Sequence, residues 1–363
     1  MNQHLQNLWL GLSGTTVGLY CTLQRCFIAF GILSPVCFFI DAPFGKFTAK
    51  SNLFTMNGSL GWFLMEIVSP LAFVLSLPLG QSSAFPSSTN YLSMISTTIR
   101  CLPLARKILA ALFLLHYLNR STISTLQNPS RARMNLLVPL SAVIFNVMNG
   151  TTMGMWIGGG YSPSSRDLQG GRGLREGSKY QVLFVVGVLM WFMGFCSNIY
   201  HDQVLYDLKR EKLKLKTESA KPLDPKARSS VSPRSEGLYR DPKTRYSIPP
   251  RSKGLYRYIS HPSYSSEWFE WLGFLLASIS LSTAPFPPIP LHFSSSSPSL
   301  TAALSTMTPF REWYLQPPAL FLWQEIGVML PRARAGHKWY EKTFGKKEWQ
   351  EKGQRWVIIP RVY

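Results

Sequence analysis

Seven apolar segments separated by polar stretches set the rhythm of this chain. They run approximately from Leu19 to Ile40, Leu60 to Leu79, Lys107 to Leu118 with its upstream apolar flank, Met134 to Ile157, Val182 to Tyr200, Trp268 to Thr283 and Trp313 to Leu330. A helix needs about 20 apolar residues to cross the hydrocarbon core, and within lipid every backbone polar group must be satisfied internally. The pattern therefore predicts an all-α polytopic membrane helix bundle of about seven transmembrane helices. The third, sixth and seventh segments are short and Arg25 interrupts the first, so six or eight spans also fit the pattern.

Composition agrees with a bilayer. The 363 residues are 46% hydrophobic but only 15% charged, against about 25% charged residues in soluble domains. A net charge of +20 would ordinarily point to nucleic acid, but its distribution points to topology. Lys209 to Arg257 holds fifteen Lys/Arg against five Asp/Glu, and Arg332 to the end holds nine against three. Both segments flank spans six and seven, and the positive-inside rule places them in the cytosol. The expected topology has a lumenal N-terminus and a cytosolic C-terminus, with membrane lipids as partners and no nucleic acid. Span one lacks a basic leader and a small-residue cleavage site, so it reads as a retained anchor, and the expected location is the endoplasmic reticulum membrane, multi-pass. The five cysteines lack CxxC spacing and read as apolar packing residues, with no metal site.

Two stretches read as insertions in a single membrane domain covering 1–363. The basic cytosolic loop 209–257 repeats PRSEGLYR (Pro233 to Arg240) as PRSKGLYR (Pro250 to Arg257), and the lumenal insertion 284–312 begins with the Pro/Ser-rich Ala284 to Leu300. Two copies at so short a period do not build a solenoid, and the Pro/Ser composition suits a disordered loop.

Polar residues inside the spans are costly in lipid and so mark candidate chemistry. Glu66 lies in GWFLMEIVSP; His116, Tyr117, Asn119 and Arg120 end span three as HYLNR; Asn149 lies in FNVMNG; Asn198, His201 and Asp202 end span five as NIYHD. Tyr117 can donate to a ligand oxygen and Arg120 can meet a phosphate. Asn198 and Asp202, four residues apart, share a helical face suited to an amide or ribose. Near the C-terminus Glu267, Glu270 and Trp271 share another face beneath the loop HPSY, and His337 and Tyr340 follow Arg332 and Arg334. GGRG (Gly170 to Gly173) has no βαβ context, and Walker, GxSxG and HExxH motifs are absent, so a dinucleotide would be held by side chains on helices and not by a Rossmann turn.

The order APFGKF, WFLMEI, HYLNR, FNVMNG, NIYHD, GLYRYIS, SYSSEWFEWLGF, PRARAGHKWY and IIPRVY resembles the membrane steroid 5α-reductase (3-oxo-5α-steroid 4-dehydrogenase) family over nearly the whole chain. PRARAGHKWY is similar to plant-type members. The resemblance implies an NADPH-dependent reduction of the carbon-carbon double bond of an α,β-unsaturated ketone in a steroid or related lipid. It also implies that Glu66 and Tyr117 grip the ketone and that region 254–363 binds cofactor. The positions matching the family's cofactor residues are Arg120, Asn128, Arg131, Asn198, Asp202, Lys209, Glu267, Trp271, Arg332, His337 and Tyr340. Three departures stand out: Ser263 replaces Asn, Phe44 replaces Tyr, and Gly336 replaces the first His of the mammalian pair. Alternatives are a membrane methyltransferase of the isoprenylcysteine type, which shares His261, Pro262 and Tyr264 but has Arg at the position of Ser260, an enoyl-CoA or polyprenol reductase, and a non-enzymatic transporter or scaffold.

Overall fold

A computed structural model describes residues 16–33, 54–80, 90–159, 177–219, 246–281, 316–353 and 356–361, with Val36, Phe39, Leu174 and Tyr314 besides. Phe44, GGRG, the first copy of the repeat and the Pro/Ser-rich stretch from Ala284 lie outside the described residues. The helices are α1 (Thr16–Leu33), α2 (Gly58–Ser76), α3 (Tyr91–Cys101), α4 (Leu104–Tyr117), α5 (Ser124–Gln127), α6 (Leu137–Gly158), α7 (Ser178–Ser219), α8 (Pro262–Ile279), α9 (Pro317–Phe344) and α10 (Lys346–Lys352). A two-residue antiparallel pair, β1 (Thr55–Met56) with β2 (Met134–Asn135), brings the starts of α2 and α6 together. Among the described residues, each of the seven apolar segments lies mainly on a helix. Residues 58–80 and 178–215 have the length and hydropathy to cross a membrane. Helix α7 runs to Ser219, well past the expected end at Tyr200.

Local chemistry explains several of the ends. Asn57 caps α2, its side-chain oxygen accepting from the backbone N–H of Ser59 at 2.9 Å and of Leu60 at 3.1 Å, which satisfies donors that the first turn leaves open. Buried Arg106 of α4 donates from Nη1 to the carbonyls of Trp156 at 2.7 Å and Ile157 at 3.0 Å. A cation at the C-terminal end of α6 is paired with the unsatisfied carbonyls and the negative end of the helix dipole.

Two helix pairs carry the bundle, and both depend on backbone approaching backbone. A Cβ at Gly154 of α6 would lie 2.3 Å from the Phe73 carbonyl oxygen of α2, with Gly150 and Gly158 in the same relation to Ser69 and Leu77. Small residues at four-residue spacing are how helices approach closely in lipid, where apolar burial alone gives no preference for a protein neighbour. Helices α7 and α8 run antiparallel, and a Cβ at Gly194 would lie 2.4 Å from the Glu270 backbone nitrogen. The opposite face of α2 exposes Leu60, Leu64, Leu71 and Leu75, and α7 exposes Val182, Val185, Val186, Leu189 and Met193. Apolar stripes of that size on the outside of a bundle are surfaces for lipid. Cys26 and Cys196 are also exposed, so these two do not fill the core as the sequence reading expected.

The interior is aromatic. Phe73 stacks on Phe113 at 4.5 Å between centroids, Phe113 meets Trp271 at 6.1 Å, and Trp271 meets Phe321 of α9 edge-on at 4.5 Å. This layer joins α2, α4, α8 and α9 directly beneath the polar residues considered next.

Candidate functional site

Helix α4 ends at Tyr117, and the chain continues as a six-residue π-helical turn, Leu118–Ile123. Such turns are rare and concentrate at functional sites, because the wider turn re-aims side chains. Here it sends Arg120 inward between two other helices. Arg120 Nε donates to Glu66 Oε1 of α2 at 3.1 Å, and its Nη1 donates to Glu267 Oε2 of α8 at 3.1 Å. Both carboxylates are buried, at 5% and 2% exposure, so each depends on a partner. Trp62 completes the setting: its indole N–H donates to the Arg120 carbonyl at 3.1 Å, and its face takes the Arg120 guanidinium at 5.1 Å and that of Arg131 at 4.3 Å.

A second acid-base pair continues the chain of polar groups. His116 Nδ1 lies 2.7 Å from Glu270 Oε1, and its Nε2 lies 3.8 Å from Glu267 Oε1. The close approach at Gly194 seats Glu270 here, and Glu270 Oε2 is buried without a hydrogen-bond partner. Glu325 of α9 lies within electrostatic reach of Glu267, Arg120, Glu66 and Glu270. Tyr117 is 2% exposed. Its hydroxyl accepts from Asn149 Nδ2 at 2.8 Å and faces Asn146 Oδ1 at 3.4 Å. The charged groups around it are Glu66, Glu325 and Arg120.

One end of the bundle collects most of the other expected residues. Lys209 Nζ donates to Asn128 Oδ1 at 3.1 Å, and Arg210 of α7 donates to the Gln127 carbonyl at 2.7 Å. Asn198 Nδ2 donates to Glu267 Oε2 at 3.2 Å, while Asp202 Oδ1 accepts from Ser263 Oγ at 2.7 Å. Ser263 thus holds Asp202 through its short side chain. Arg131 Nη2 donates to Ser124 Oγ at 3.2 Å, but its Nε is buried with no partner. Burial also holds the Arg131 guanidinium below its ordinary pKa. An anion arriving beside it would relieve both the desolvation and the orphaned donor. The donor set of Arg131, Lys209, Asn128 and Asn198 therefore fits a phosphate-bearing, hydrogen-bonding ligand.

The C-terminal segment closes this end. Ser260 Oγ lies 2.9 Å from His337 Nδ1 and 2.9 Å from His261 Nδ1. The tail runs beside the loop before α8: Ser260 N–H donates to the Trp356 carbonyl at 3.0 Å and His261 N–H to that of Val357 at 3.1 Å. Tyr340 stacks on Trp349 of α10 at 5.2 Å. Arg332 is half-buried on α9. Trp271 lies deeper, fully buried among Phe113, His116, Phe274 and Phe321.

Comparison with known proteins bears on the family. The family model for 3-oxo-5-alpha-steroid 4-dehydrogenase matches residues 234–302. An uncharacterized protein of Schizosaccharomyces pombe is 32% identical over 351 residues, covering 94% of this chain and 97% of its own. Steroid 5-alpha-reductase DET2 of Arabidopsis thaliana is 23% identical over 90% of this chain and 89% of its own length. Bovine 3-oxo-5-alpha-steroid 4-dehydrogenase 1 is 25% identical over 86% and 87%. The chain belongs to the steroid 5α-reductase family. Members are oxidoreductases acting on CH–CH groups with a nicotinamide cofactor. The similarity covers 86–94% of this chain in these relatives and is not confined to the C-terminal blocks.

Against this steroid 5α-reductase frame, the residues that sequence reading did not assign are the most informative. His116 and Glu270 were visible as polar residues inside apolar runs, but their pairing crosses from α4 to α8. Asn146 is part of FNVMNG, and its three-residue spacing from Asn149 is its signal in the sequence. Glu325 lies next to Gln324, whose Nε2 donates to the Phe27 carbonyl of α1. For Glu325 the signal in the sequence is a carboxyl within the apolar run from Trp313 to Leu330.

Proposed function

We propose that this protein reduces the double bond of an α,β-unsaturated ketone in a steroid or related membrane lipid, with NADPH as reductant. The observation that carries this reading is the ion-pair chain Glu66–Arg120–Glu267, which joins the ketone-binding half to the cofactor half through one guanidinium. Asn128, Arg131, Asn198, Asp202, Lys209, Glu267, Arg332, His337 and Tyr340 would hold the cofactor. Lys209 and Arg131 favour the form carrying the additional phosphate. When bound, the cofactor supplies the hydride that adds to the β-carbon of the enone.

Addition at that carbon pushes negative charge onto the ketone oxygen. Tyr117 donates a hydrogen bond to that oxygen, and Glu66, ion-paired with Arg120, orients the same group. A donor already in place within a low-dielectric interior stabilises the developing enolate without reorganisation. The α-carbon then takes a proton that originates in solvent. Glu267 acts on the other side of Arg120, fixing the guanidinium so that it can serve the cofactor and Glu66 together.

The test uses membranes containing the protein, deuteride-labelled NADPH and a panel of unlabelled steroid enones, trans-2-enoyl-CoA and polyprenal. The expected product is a dihydro steroid carrying deuterium at the β-carbon. Methylation of a prenylated acceptor from labelled S-adenosylmethionine, or consumption of the acyl or polyprenyl substrate alone, overturns the assignment.

A further inference from the structure

We propose that Asn149, supported by Asn146, is a positioning residue that directs the hydroxyl hydrogen of Tyr117 toward the substrate ketone. The proposal rests on the reductase reading above and adds to it the device that makes Tyr117 a donor. The sequence marks Asn149 only as a polar residue within an apolar segment; the structure places it against Tyr117.

A phenol hydroxyl has one hydrogen to give and lone pairs with which to accept. Asn149 Nδ2 can only donate, and it lies 2.8 Å from Tyr117 Oη, so that side of the phenol is occupied as acceptor and cannot receive the phenol hydrogen. The hydroxyl faces Asn146 Oδ1 at 3.4 Å, longer than an ordinary O–H···O bond of about 2.7–2.8 Å, and Ser69 Oγ also borders it. The hydrogen is thus weakly held. A ketone oxygen that gains negative charge is a better acceptor and takes it over.

The bracket is fixed in space. Asn146 Nδ2 donates to the Met65 carbonyl at 2.6 Å, which ties the amide to the backbone beside Glu66. Asn149 Nδ2 also lies 3.4 Å from Ser69 Oγ. The two asparagines, three residues apart on α6, present the same face. At Gly150 the α6 backbone meets the Ser69 carbonyl of α2 so closely that a Cβ would lie 2.2 Å from its oxygen, which sets how far both amides reach. Asn149 is completely buried and its Oδ1 has no partner. Turning that amide over would offer Oδ1 to Tyr117 and consume the hydrogen that catalysis requires. In the observed orientation the amide leaves its own oxygen unpaired and the phenol hydrogen available. As that hydrogen moves toward the substrate, Asn149 also stabilises the charge left on Oη. The charged groups acting on this bracket are Glu66 from α2, Glu325 from α9 and Arg120 from the turn after α4.

The test compares wild type with Asn149→Leu, Asn149→Asp and Tyr117→Phe. In steady state, Asn149→Leu should lower kcat about tenfold and Tyr117→Phe about 100-fold, the range for losing a donor to a developing oxyanion. KM for the enone and the dissociation constant for NADPH should change by less than about threefold. Asn149→Asp should acquire a pH dependence that wild type and Asn149→Leu lack, with kcat falling as the new carboxyl ionises and takes the Tyr117 hydrogen for itself. The second readout needs neither cofactor nor turnover: the carbonyl stretch of a bound, isotope-labelled saturated keto-steroid. It should lie at lower frequency in wild type than in Tyr117→Phe, with Asn149→Leu between them. Wild-type kcat and carbonyl frequency in Asn149→Leu overturn the proposal, and so does a loss that only follows the thermal midpoint and adds no pH dependence in Asn149→Asp. An inactive wild type that still shifts the bound carbonyl through Tyr117 and Asn149 counts against the reductase reading alone; an inactive wild type without that shift removes both.

Discussion

Arg120 holds Glu66 and Glu267 with two different nitrogens, Nε and Nη1, each at 3.1 Å. The residue therefore couples α2 to α8 through the turn after α4. Because the two carboxylates are buried, removing the cation would leave both without their charge partner. Arg120→Met should destabilise the protein by about 3 kcal/mol or more and abolish turnover. Arg120→Lys can reach one carboxylate but not both in the same fork, and should recover only part of each. Thermal unfolding in detergent together with NADPH binding measures the outcome; wild-type stability in Arg120→Met would show that the bridge does not hold these helices.

Glu66 and Tyr117 are expected to separate in their effects. Glu66→Gln keeps the shape but removes the charge that pairs with Arg120 Nε, so it should lower kcat and weaken NADPH binding as well. Tyr117→Phe removes only a donor and should lower kcat by roughly 100-fold with little change in NADPH affinity. Wild-type turnover in both variants would remove the proposed mechanism.

The glycine contacts provide a structural check that does not depend on chemistry. A Cβ at Gly154 meets Ser76 Oγ at 2.2 Å and the Phe73 carbonyl at 2.3 Å. Backbone cannot move aside cheaply, so Gly154→Ala should cost about 1–3 kcal/mol of stability. Gly194→Ala pushes on Glu270 and should reduce turnover through the His116–Glu270 pair as well as lower the thermal midpoint. Equal stability of both variants and wild type would contradict the packing described for α2 with α6 and α7 with α8.

Removal of the tail from residue 354 onward should weaken NADPH binding more than it alters turnover at saturating cofactor. Ser260 and His261 would lose their backbone partners at Trp356 and Val357, and the fully buried Ile358 would be lost. Two or so hydrogen bonds at about 1 kcal/mol each correspond to an affinity loss on the order of tenfold or more. Calorimetric or fluorescence titration with NADPH decides the matter, and an unchanged dissociation constant argues against a role for the tail in holding His337.

Lys209→Met should reduce the preference for NADPH over NADH, since the lysine lies beside Asn128 at the cationic end of the site and a phosphate is its natural partner. The ratio of kcat/KM for the two cofactors measures this. A ratio unchanged from wild type would move the discrimination to Arg131 or Arg332.

Much of the frame was legible in advance because lipid makes it so. Apolar runs long enough to cross hydrocarbon must satisfy their backbone internally, and residues 58–80 and 178–215 form helices of that length and hydropathy. The short helices α3, α5 and α10 lie outside the apolar segments because none of them forms a membrane-length run. Glu66, Tyr117 and Glu267 were legible for a related reason: carboxyls and a phenol beside apolar sequence are costly unless they are used. Their partners were not legible. Arg120 lies 54 residues from Glu66 and 147 from Glu267, and no periodicity links positions on different helices.

The chain's sequence by itself determined its class, the family it resembles, and which polar side chains stand inside apolar segments. Those properties are local, set by the rise and period of a helix and by the cost of polar groups in lipid. Tertiary structure alone decided that Asn149 serves Tyr117, that His116 pairs with Glu270, and that Arg120 spans two carboxylates. Such pairings depend on how each helix is rotated and how near it lies to its neighbour. Here backbone contact at Gly150, Gly154 and Gly194 sets both.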